Sequence, residues 1–290
     1  MPQSPFEGRI AAPAKVNLAL HVVGRRDDGY HSLESLVVFA AGVADALSIG
    51  IAEADDLLVE GRFAQGVPTD GRNIVRKALL LARAEAACIG MTIPPLAIRL
   101  TKNLPHAAGI GGGSADAAAL LRFLCADRPD LRKRLASGAS RLGADVPMCL
   151  AGTPTLAHGV GDVLTPVAMS HMPAMVLVNP GRPVETPAIF KALRNRDNAP
   201  LPPLPAAGLS DPDVLFDWLD RARNDLQETA ISIEPTIREA CRTLNAHGAR
   251  LARMSGSGAT VFGLFDSGTA AGQCADTVRA ARPDWWVAVS

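Results

Sequence analysis

The sequence predicts an α+β protein of two domains, a mixed α/β portion over residues 1–170 and a portion over 171–290 in which helices pack on an antiparallel sheet. Three observations carry this. The chain has 290 residues, of which 48% are hydrophobic and 20% charged, so it is long and apolar enough for two cores. Strand-like and helical runs are mixed along it, which lays helices on mixed or antiparallel sheets. A new strand-like run at 175–179 follows a stretch punctuated by proline and glycine, and opens the second domain.

Taken in order, residues 9–23 are apolar and β-branched, interrupted by Lys15 and Asn17, and read as a strand, with a second at 36–40. Charges and glycines make 24–31 a loop. Strands are expected at 46–52 and 57–61. Asn73 caps a helix running to about Cys88, with Gly90 just beyond its end, and a strand follows at 96–100. The helix at 114–126 is apolar around most of its circumference, which predicts burial on nearly all sides. A helix from about Asp130 ends at Gly143, and the residues up to Pro166 read as β-like. After the strand at 175–179 come helices near 187–194, 213–222 and 235–247, strands at 250–254 and 260–265, a helix through Ala281 and a last strand at 285–289. The segment 198–212, with five prolines from Pro200 on, is the most loop-like of the chain.

Charge excludes several classes of function. Lys and Arg number 29, as do Asp and Glu, and the net charge is +1 over 1–170 and −1 over 171–290. Neither portion has the basic excess that nucleic acid or an anionic membrane attracts, and aromatic residues make up only 4%. The longest uncharged apolar stretch, 36–44, stops at Asp45, well short of the roughly 20 residues of a membrane span. Residues 1–7 carry neither a basic nor an apolar export region. The expectation is a cytoplasmic protein, a monomer or weak homodimer, with no nucleic-acid or membrane partner. Five cysteines, scattered singly, read as reduced thiols and not as a zinc site.

The strongest local signal is Pro105-His106-Ala107-Ala108-Gly109-Ile110-Gly111-Gly112-Gly113-Ser114-Ala115, between a strand and an Ala-rich helix. Four glycines in five positions let backbone N–H groups approach an anion unobstructed, and the helix behind points its positive end at the same place. A nucleotide phosphate fits such a cradle, whereas a plain turn needs one or two glycines. No Gly-Lys-Ser/Thr follows, so the Walker A pattern fails; the third glycine of a dinucleotide fingerprint falls on Ser114, which disfavours a dehydrogenase. The Ser114 hydroxyl is placed either to meet a phosphate oxygen or its Mg²⁺, or to cap the helix.

This segment resembles the second motif of the GHMP small-molecule kinases. Pro13-Ala14-Lys15-Val16-Asn17-Leu18 with Gly24-Arg25-Arg26-Asp27-Asp28-Gly29-Tyr30-His31 resembles the opening of a member from isoprenoid precursor synthesis. Leu142-Gly143-Ala144-Asp145-Val146-Pro147 is similar to its aspartate segment, Met254-Ser255-Gly256-Ser257-Gly258-Ala259 to its third glycine motif, and Asn224-Asp225-Leu226 also fits. One departure stands out. Members often read Gly-Gly-Gly-Ser-Ser-Asn where this chain has Gly111-Gly112-Gly113-Ser114-Ala115-Asp116, so an amide becomes a carboxylate close to the expected phosphates.

The resemblance implies a two-domain GHMP-kinase-like fold whose N-terminal domain binds nucleotide. It implies ATP as donor with Mg²⁺, and a small-molecule alcohol carrying a cytidine diphosphate moiety as acceptor. Residues Pro105 to Ala115 would hold the phosphates, with Ser114 as the candidate metal ligand. Asp145, by itself a cap or turn residue, becomes the general base. Lys15, by itself as well read as an edge-strand cation with its head in water, becomes that aspartate's partner at the substrate hydroxyl. Asn17, on the same strand face, would bind substrate. Tyr30, the only tyrosine, and Phe190 would sandwich the cytosine, His31 would read its polar edge and Thr186 would line the same cleft; alone, Tyr30-His31 reads as surface and Phe190 as core. The alternatives are another GHMP kinase, acting on homoserine, mevalonate or a sugar, and a non-catalytic sensor on the same fold. The presence of both Lys15 and Asp145 speaks against the sensor.

Overall fold

The computed structural model describes residues 6–26 and 29–290; residues 1–5 and the loop residues Asp27 and Asp28 lie outside the described residues. In chain order the elements are β1 (Gly8–Arg25), β2 (His31–Ile51), β3 (Asp56–Glu60), α1 (Ile74–Ala87), β4 (Leu96–Thr101), α2 (Gly112–Leu124), α3 (Pro129–Gly138), a 3₁₀ turn (Ala139–Arg141) and α4 (Val146–Ala151). They continue with β5 (Thr155–Gly159), β6 (Val163–Pro166), β7 (Ala174–Asn179), α5 (Thr186–Ala192), α6 (Pro212–Arg221), α7 (Gln227–Ile233), α8 (Thr236–Ala246), β8 (Leu251–Met254), β9 (Val261–Phe265), α9 (Gly268–Ala281) and β10 (Trp286–Val289). The fold class is α+β. The chain forms two compact units: residues up to Ala14, Ala44–Leu104 and Gly111–Gly152 in the first, Lys15–Val43, Pro105–Ile110 and Thr153–Ser290 in the second. The long strands β1 and β2 each change unit midway.

In the first unit β3 runs parallel to β4, and β4 pairs antiparallel with the second half of β2, Ala46–Ile51 against Leu96–Thr101. Alternation along β4 turns Leu96, Ile98 and Leu100 inward and Ala97 and Arg99 outward. Helix α1 buries Val75, Ala78, Leu79, Ala82 and Ala86 at helical spacing, and its cap is the expected one, with Asn73 Oδ1 accepting the Val75 N–H at 2.8 Å. Helix α2 packs against both α1 and α4. Its continuous buried run Ala115–Leu121 fits the all-round apolar sequence. The helix starts earlier than expected, however. Gly111 (φ +62°) takes the N-cap position, so Ser114 lies inside the first turn and does not cap it. The helix expected to reach Gly143 ends at Gly138, and α4, a single short helix with proline in its first turn, replaces part of the expected β-like stretch.

In the second unit the first half of β2 pairs with β5, Leu33–Val37 against Thr155–Gly159, and β5 pairs with β6. A separate antiparallel sheet has the order β10-β7-β9-β8, and α8 and α9 lie on it. The core between them includes Val176, Val178, Ile237, Leu244, Val261, Phe265 and Val278, and it is completed by Leu20 and Val22 of β1. Leu20 donates its N–H to the Arg223 carbonyl at 2.9 Å and accepts from the Asp225 N–H at 2.8 Å, which makes residues 223–225 a partner of β1. Arg253 holds the same corner by donating to the carbonyls of Leu18, Leu219 and Ala222 at 2.8–2.9 Å; its burial pulls the guanidinium pKa down to about 10. Strand β2 is continuous where two strands were expected, passing through Gly42 at φ +76°. Among the described residues no helix is long and apolar enough to cross a membrane.

Candidate active site

The second unit brings together β1, residues 105–110 and the turn after β8. Lys15 and Asn17 are 5% and 4% exposed, so Lys15 does not reach into water as an edge residue would. Its Nζ donates to Asn17 Oδ1 at 2.9 Å; Asn17 Nδ2 donates to Ser35 Oγ at 2.8 Å, and Ser35 Oγ donates to the Ala19 carbonyl at 2.6 Å. The Lys15 N–H bonds the Ile110 carbonyl at 2.9 Å and the Thr260 N–H bonds the Ala108 carbonyl at 3.2 Å, which clamps the first half of the glycine segment from two sides. Ser255, fully buried, closes the clamp: its Oγ accepts the Asn17 N–H and donates to the Gly109 carbonyl, each at 3.0 Å. Asn224 Nδ2 donates to the carbonyls of Met254 and Gly256 at 2.8 Å and fixes the turn that carries Ser255.

Glycine is required at two of these positions. Gly109 has φ +73°, and a Cβ there would run into the Ser255 carbonyl oxygen and stand 2.8 Å from the Gly258 nitrogen. Gly256 has φ +56°, and a Cβ there would lie 2.8 Å from the Gly109 carbonyl oxygen and 3.2 Å from Asn17 Oδ1. Ala107, at φ +46°, is the only non-glycine residue with positive φ among the described residues, a conformation that costs roughly 1–2 kcal/mol. Pro105, Ala108 and Ile110 are buried, while His106 and Ala107 are exposed at the mouth of the segment. Strain of this kind concentrates at ligand-holding loops.

The second half of the segment, Gly111 to Ala115, belongs to the first unit and opens α2, so the first N–H groups of that helix lack intrahelical partners at its positive end. Beneath it lies a buried charge cluster. Lys102, 3% exposed, pairs with Asp45 and, at 2.6 Å, with Asp116; Asp45 Oδ1 also accepts the N–H groups of Asn103 and Leu104 at 2.5 and 2.8 Å. A Cβ on Gly112 would lie 3.6 Å from both Asp45 Oδ2 and Lys102 Nζ. Burial alone would lower the Lys102 pKa, but the two carboxylates outweigh it and hold it above the ordinary value; burial drives the Asp116 carboxyl well above its own. The Asp116 carboxylate, expected close to the phosphates, lies in this cluster beside the start of α2. Asp116 turns inward to Lys102, and its Oδ1 is buried without a partner among the described residues. Asp45 and Lys102, far apart in sequence, carry no local motif. Asp145 stands half-buried at the N-terminus of α4 (φ −82°, ψ −12°), where its side chain does not cap the helix.

Also in the second unit, His31 stacks on Phe190 of α5, ring centroids 4.9 Å apart and 24° from parallel. Burial, aided by the charges of Arg196 and Arg25, lowers the His31 pKa and favours its neutral ring. The ring on Phe190 is thus that of His31, whereas Tyr30, expected opposite it, is 66% exposed. Thr186, at the first turn of α5, shares a 2.7 Å hydrogen bond with Ser257, which ties α5 to the turn after β8.

Two family models match the chain: "GHMP kinases N terminal domain" over residues 73–153 and "GHMP kinases C terminal" over 205–284. The fold, the glycine cradle and these matches define a small-molecule kinase of the GHMP class. A 4-diphosphocytidyl-2-C-methyl-D-erythritol kinase of Mesorhizobium japonicum is 50% identical over 96% of this chain and 94% of its own, and one of Paracoccus denitrificans is 46% identical over 99% and 97%. A crystal structure of a 4-(cytidine 5'-diphospho)-2C-methyl-D-erythritol kinase superposes with a TM-score of 0.77 at 33% identity over 97% of this chain and 98% of that one. Homoserine kinase from Cytophaga hutchinsonii shares the fold, with a TM-score of 0.71 at 16% identity over 100% and 96%. The chain belongs to the GHMP kinase family and, within it, to the family of these 4-diphosphocytidyl-2-C-methyl-D-erythritol kinases.

Proposed function

We propose that the protein transfers the terminal phosphoryl group of ATP to the 2-hydroxyl of 4-diphosphocytidyl-2-C-methyl-D-erythritol, giving the 2-phosphate and ADP, in the non-mevalonate route to isoprenoid precursors. The observation that carries the reading is the Ser255 clamp, which puts the backbone of Gly109 one hydroxyl away from the strand bearing Lys15 and Asn17. Phosphoryl transfer asks a protein mainly for positioning and charge stabilisation, and a clamp between a phosphate-holding segment and a buried ammonium supplies both.

In this reading residues Pro105 to Ala115 hold the ATP phosphates through backbone N–H groups, on a segment whose Gly109 packs too closely on the turn of Ser255 to Gly258 to carry a side chain. Asp145 takes the hydroxyl proton as general base and Lys15 stabilises the developing negative charge on that oxygen. Phe190, Tyr30 and His31 hold the cytidine, with Thr186 beside them and Asn17 near the acceptor. Ser114, in the first turn of α2, would be the protein ligand of a Mg²⁺ bound with the ATP phosphates. When bound, Mg²⁺ neutralises polyphosphate charge. Residues 1–170 serve as the nucleotide-binding domain and 171–290 as its GHMP-type companion, in a cytoplasmic monomer or weak homodimer.

Purified protein mixed with ATP, Mg²⁺ and the cytidine substrate is expected to release ADP, and Asp145→Asn to slow it by about 10²–10⁴-fold, the usual worth of a positioned base. Absence of turnover, or an Asp145→Asn variant as fast as wild type, would overturn the assignment. A GHMP kinase acting on homoserine, mevalonate or a sugar instead would be indifferent to cytidine diphosphate as competitor and to Tyr30→Ala.

A further inference from the structure

We propose that Ser35 is a positioning residue for phosphoryl transfer: its hydroxyl fixes the orientation of the Asn17 carboxamide and, through it, the direction of the Lys15 ammonium. The inference rests on the proposed role of Lys15. Ser35 lies on β2, which pairs with β1, and is 5% exposed. A serine hydroxyl has one proton, and here it goes to the Ala19 carbonyl at 2.6 Å. Toward Asn17 the same oxygen has only lone pairs left, so the atom facing it at 2.8 Å must be the donor Nδ2. That turns Oδ1 to the opposite side, where the Lys15 ammonium, which has donors only, meets it at 2.9 Å. Both ends of the chain demand the same amide orientation, and the Ala19 carbonyl sets the polarity of the whole series.

The consequence for Asn17 is direct. Its amide is engaged inside the protein at both ends, and its N–H is held by Ser255, so its contribution is to aim Lys15. Without the Ser35 hydroxyl, Nδ2 faces a methyl group and the Ala19 carbonyl loses its donor. The amide is then free to flip, which sets a donor against the ammonium and turns Lys15 off its line. Misalignment of a group that acts on the reacting oxygen is read in kcat, whereas the backbone cradle for ATP is untouched.

The test uses the purified full chain with ATP, Mg²⁺ and the cytidine substrate, and measures kcat and both KM values for Ser35→Ala, Ser35→Thr, Asn17→Ala and the double variant Ser35→Ala/Asn17→Ala. Ser35→Ala is expected to lower kcat about 3- to 10-fold, the worth of one hydrogen bond, with KM for ATP unchanged, and Ser35→Thr to recover most of the loss. In the Asn17→Ala background Ser35→Ala is expected to cost nothing further, because it acts only through that amide. Multiplying losses in the double variant, a change confined to KM, or no recovery by Ser35→Thr would overturn the inference. If Ser35→Ala does not fold, Ser35→Thr against the same-shaped Ser35→Val gives the same comparison on a strand that tolerates β-branching. Lys15→Met separates the two readings. An active Lys15→Met sinks the role of Lys15 itself, whereas an inactive one with multiplying Ser35 and Asn17 losses sinks only the positioning role.

Discussion

Ser255→Ala probes the joint between the glycine segment and β1 most directly. The substitution removes one oxygen and two hydrogen bonds, leaving the buried Asn17 N–H and the part-buried Gly109 carbonyl without their 3.0 Å partner. An orphaned buried group costs about 1–3 kcal/mol, so the buried N–H alone costs about that much and the carbonyl adds to it. The space of one oxygen is well below the roughly 30 Å³ share of a water molecule, so solvent does not restore the bonds. Against the about 5–15 kcal/mol that holds an ordinary domain together this is a large fraction. Urea unfolding followed by the fluorescence of the three tryptophans reads it as a lower midpoint at constant slope. The same variant is expected to raise KM for ATP, since Gly109 is no longer pinned. A stability loss below about 0.5 kcal/mol together with an unchanged KM would refute the reasoning, because a surface substitution does as little.

Lys102→Met leaves Asp45 and Asp116 facing each other in a buried site and is expected to cost about 3–5 kcal/mol in the same urea assay. Asp116→Asn is expected to leave KM for ATP at the wild-type level, because the carboxylate is turned inward to Lys102; a large change in KM would mean that it faces the nucleotide after all. His21, fully buried, is hydrogen-bonded through Nδ1 to the Ala199 carbonyl at 3.0 Å and accepts the Arg223 N–H at Nε2. Burial is the main cause that lowers its pKa below the ordinary 6.5. Its stabilising contribution is therefore complete above pH 6.5 and is lost as pH falls from there through the lower folded value, where the unfolded chain binds the extra proton. Midpoints measured between pH 7.5 and 5.5 are expected to fall more steeply for wild type than for His21→Gln. Asn73→Ala removes the cap of α1 and is expected to cost about 1 kcal/mol of stability.

Much of this molecule was legible in its sequence, and the exceptions share causes. The strands that carry Lys15 and the C-terminal sheet, the capped helix after Asn73 and the buried helix after the glycines all declare themselves by period and cap. Helices α4 and α7 span 6 and 7 residues, too few for a helical period to emerge from the background. The division of β2 into two strands failed because a glycine with positive φ and a buried Asp45 look like a turn, whereas here the glycine bends a continuous strand and the carboxylate meets Lys102 and two backbone N–H groups. At the candidate site the glycines and Lys15 were readable as motifs. Ser35, Asp45 and Lys102 were not, because their meaning lies in partners 14 to 59 residues away and no local spacing encodes such pairs. Ser255 could be seen as a motif residue, but its hydroxyl bridge to Asn17 and Gly109 could not.

The place of Leu20 and Val22 in the core of the second unit bears on how the chain is made. These residues leave the ribosome well before the carbonyl and N–H that flank Leu20 at residues 223 and 225, and before the sheet they cover, which are synthesised some two hundred residues later. At 5–20 residues per second the first strand waits on the order of ten seconds or more with apolar side chains and ladder groups unoccupied. Those apolar groups stay uncovered until the sheet of β7 to β10 has been made, and a fragment beginning near residue 171 lacks the strand that closes its own core.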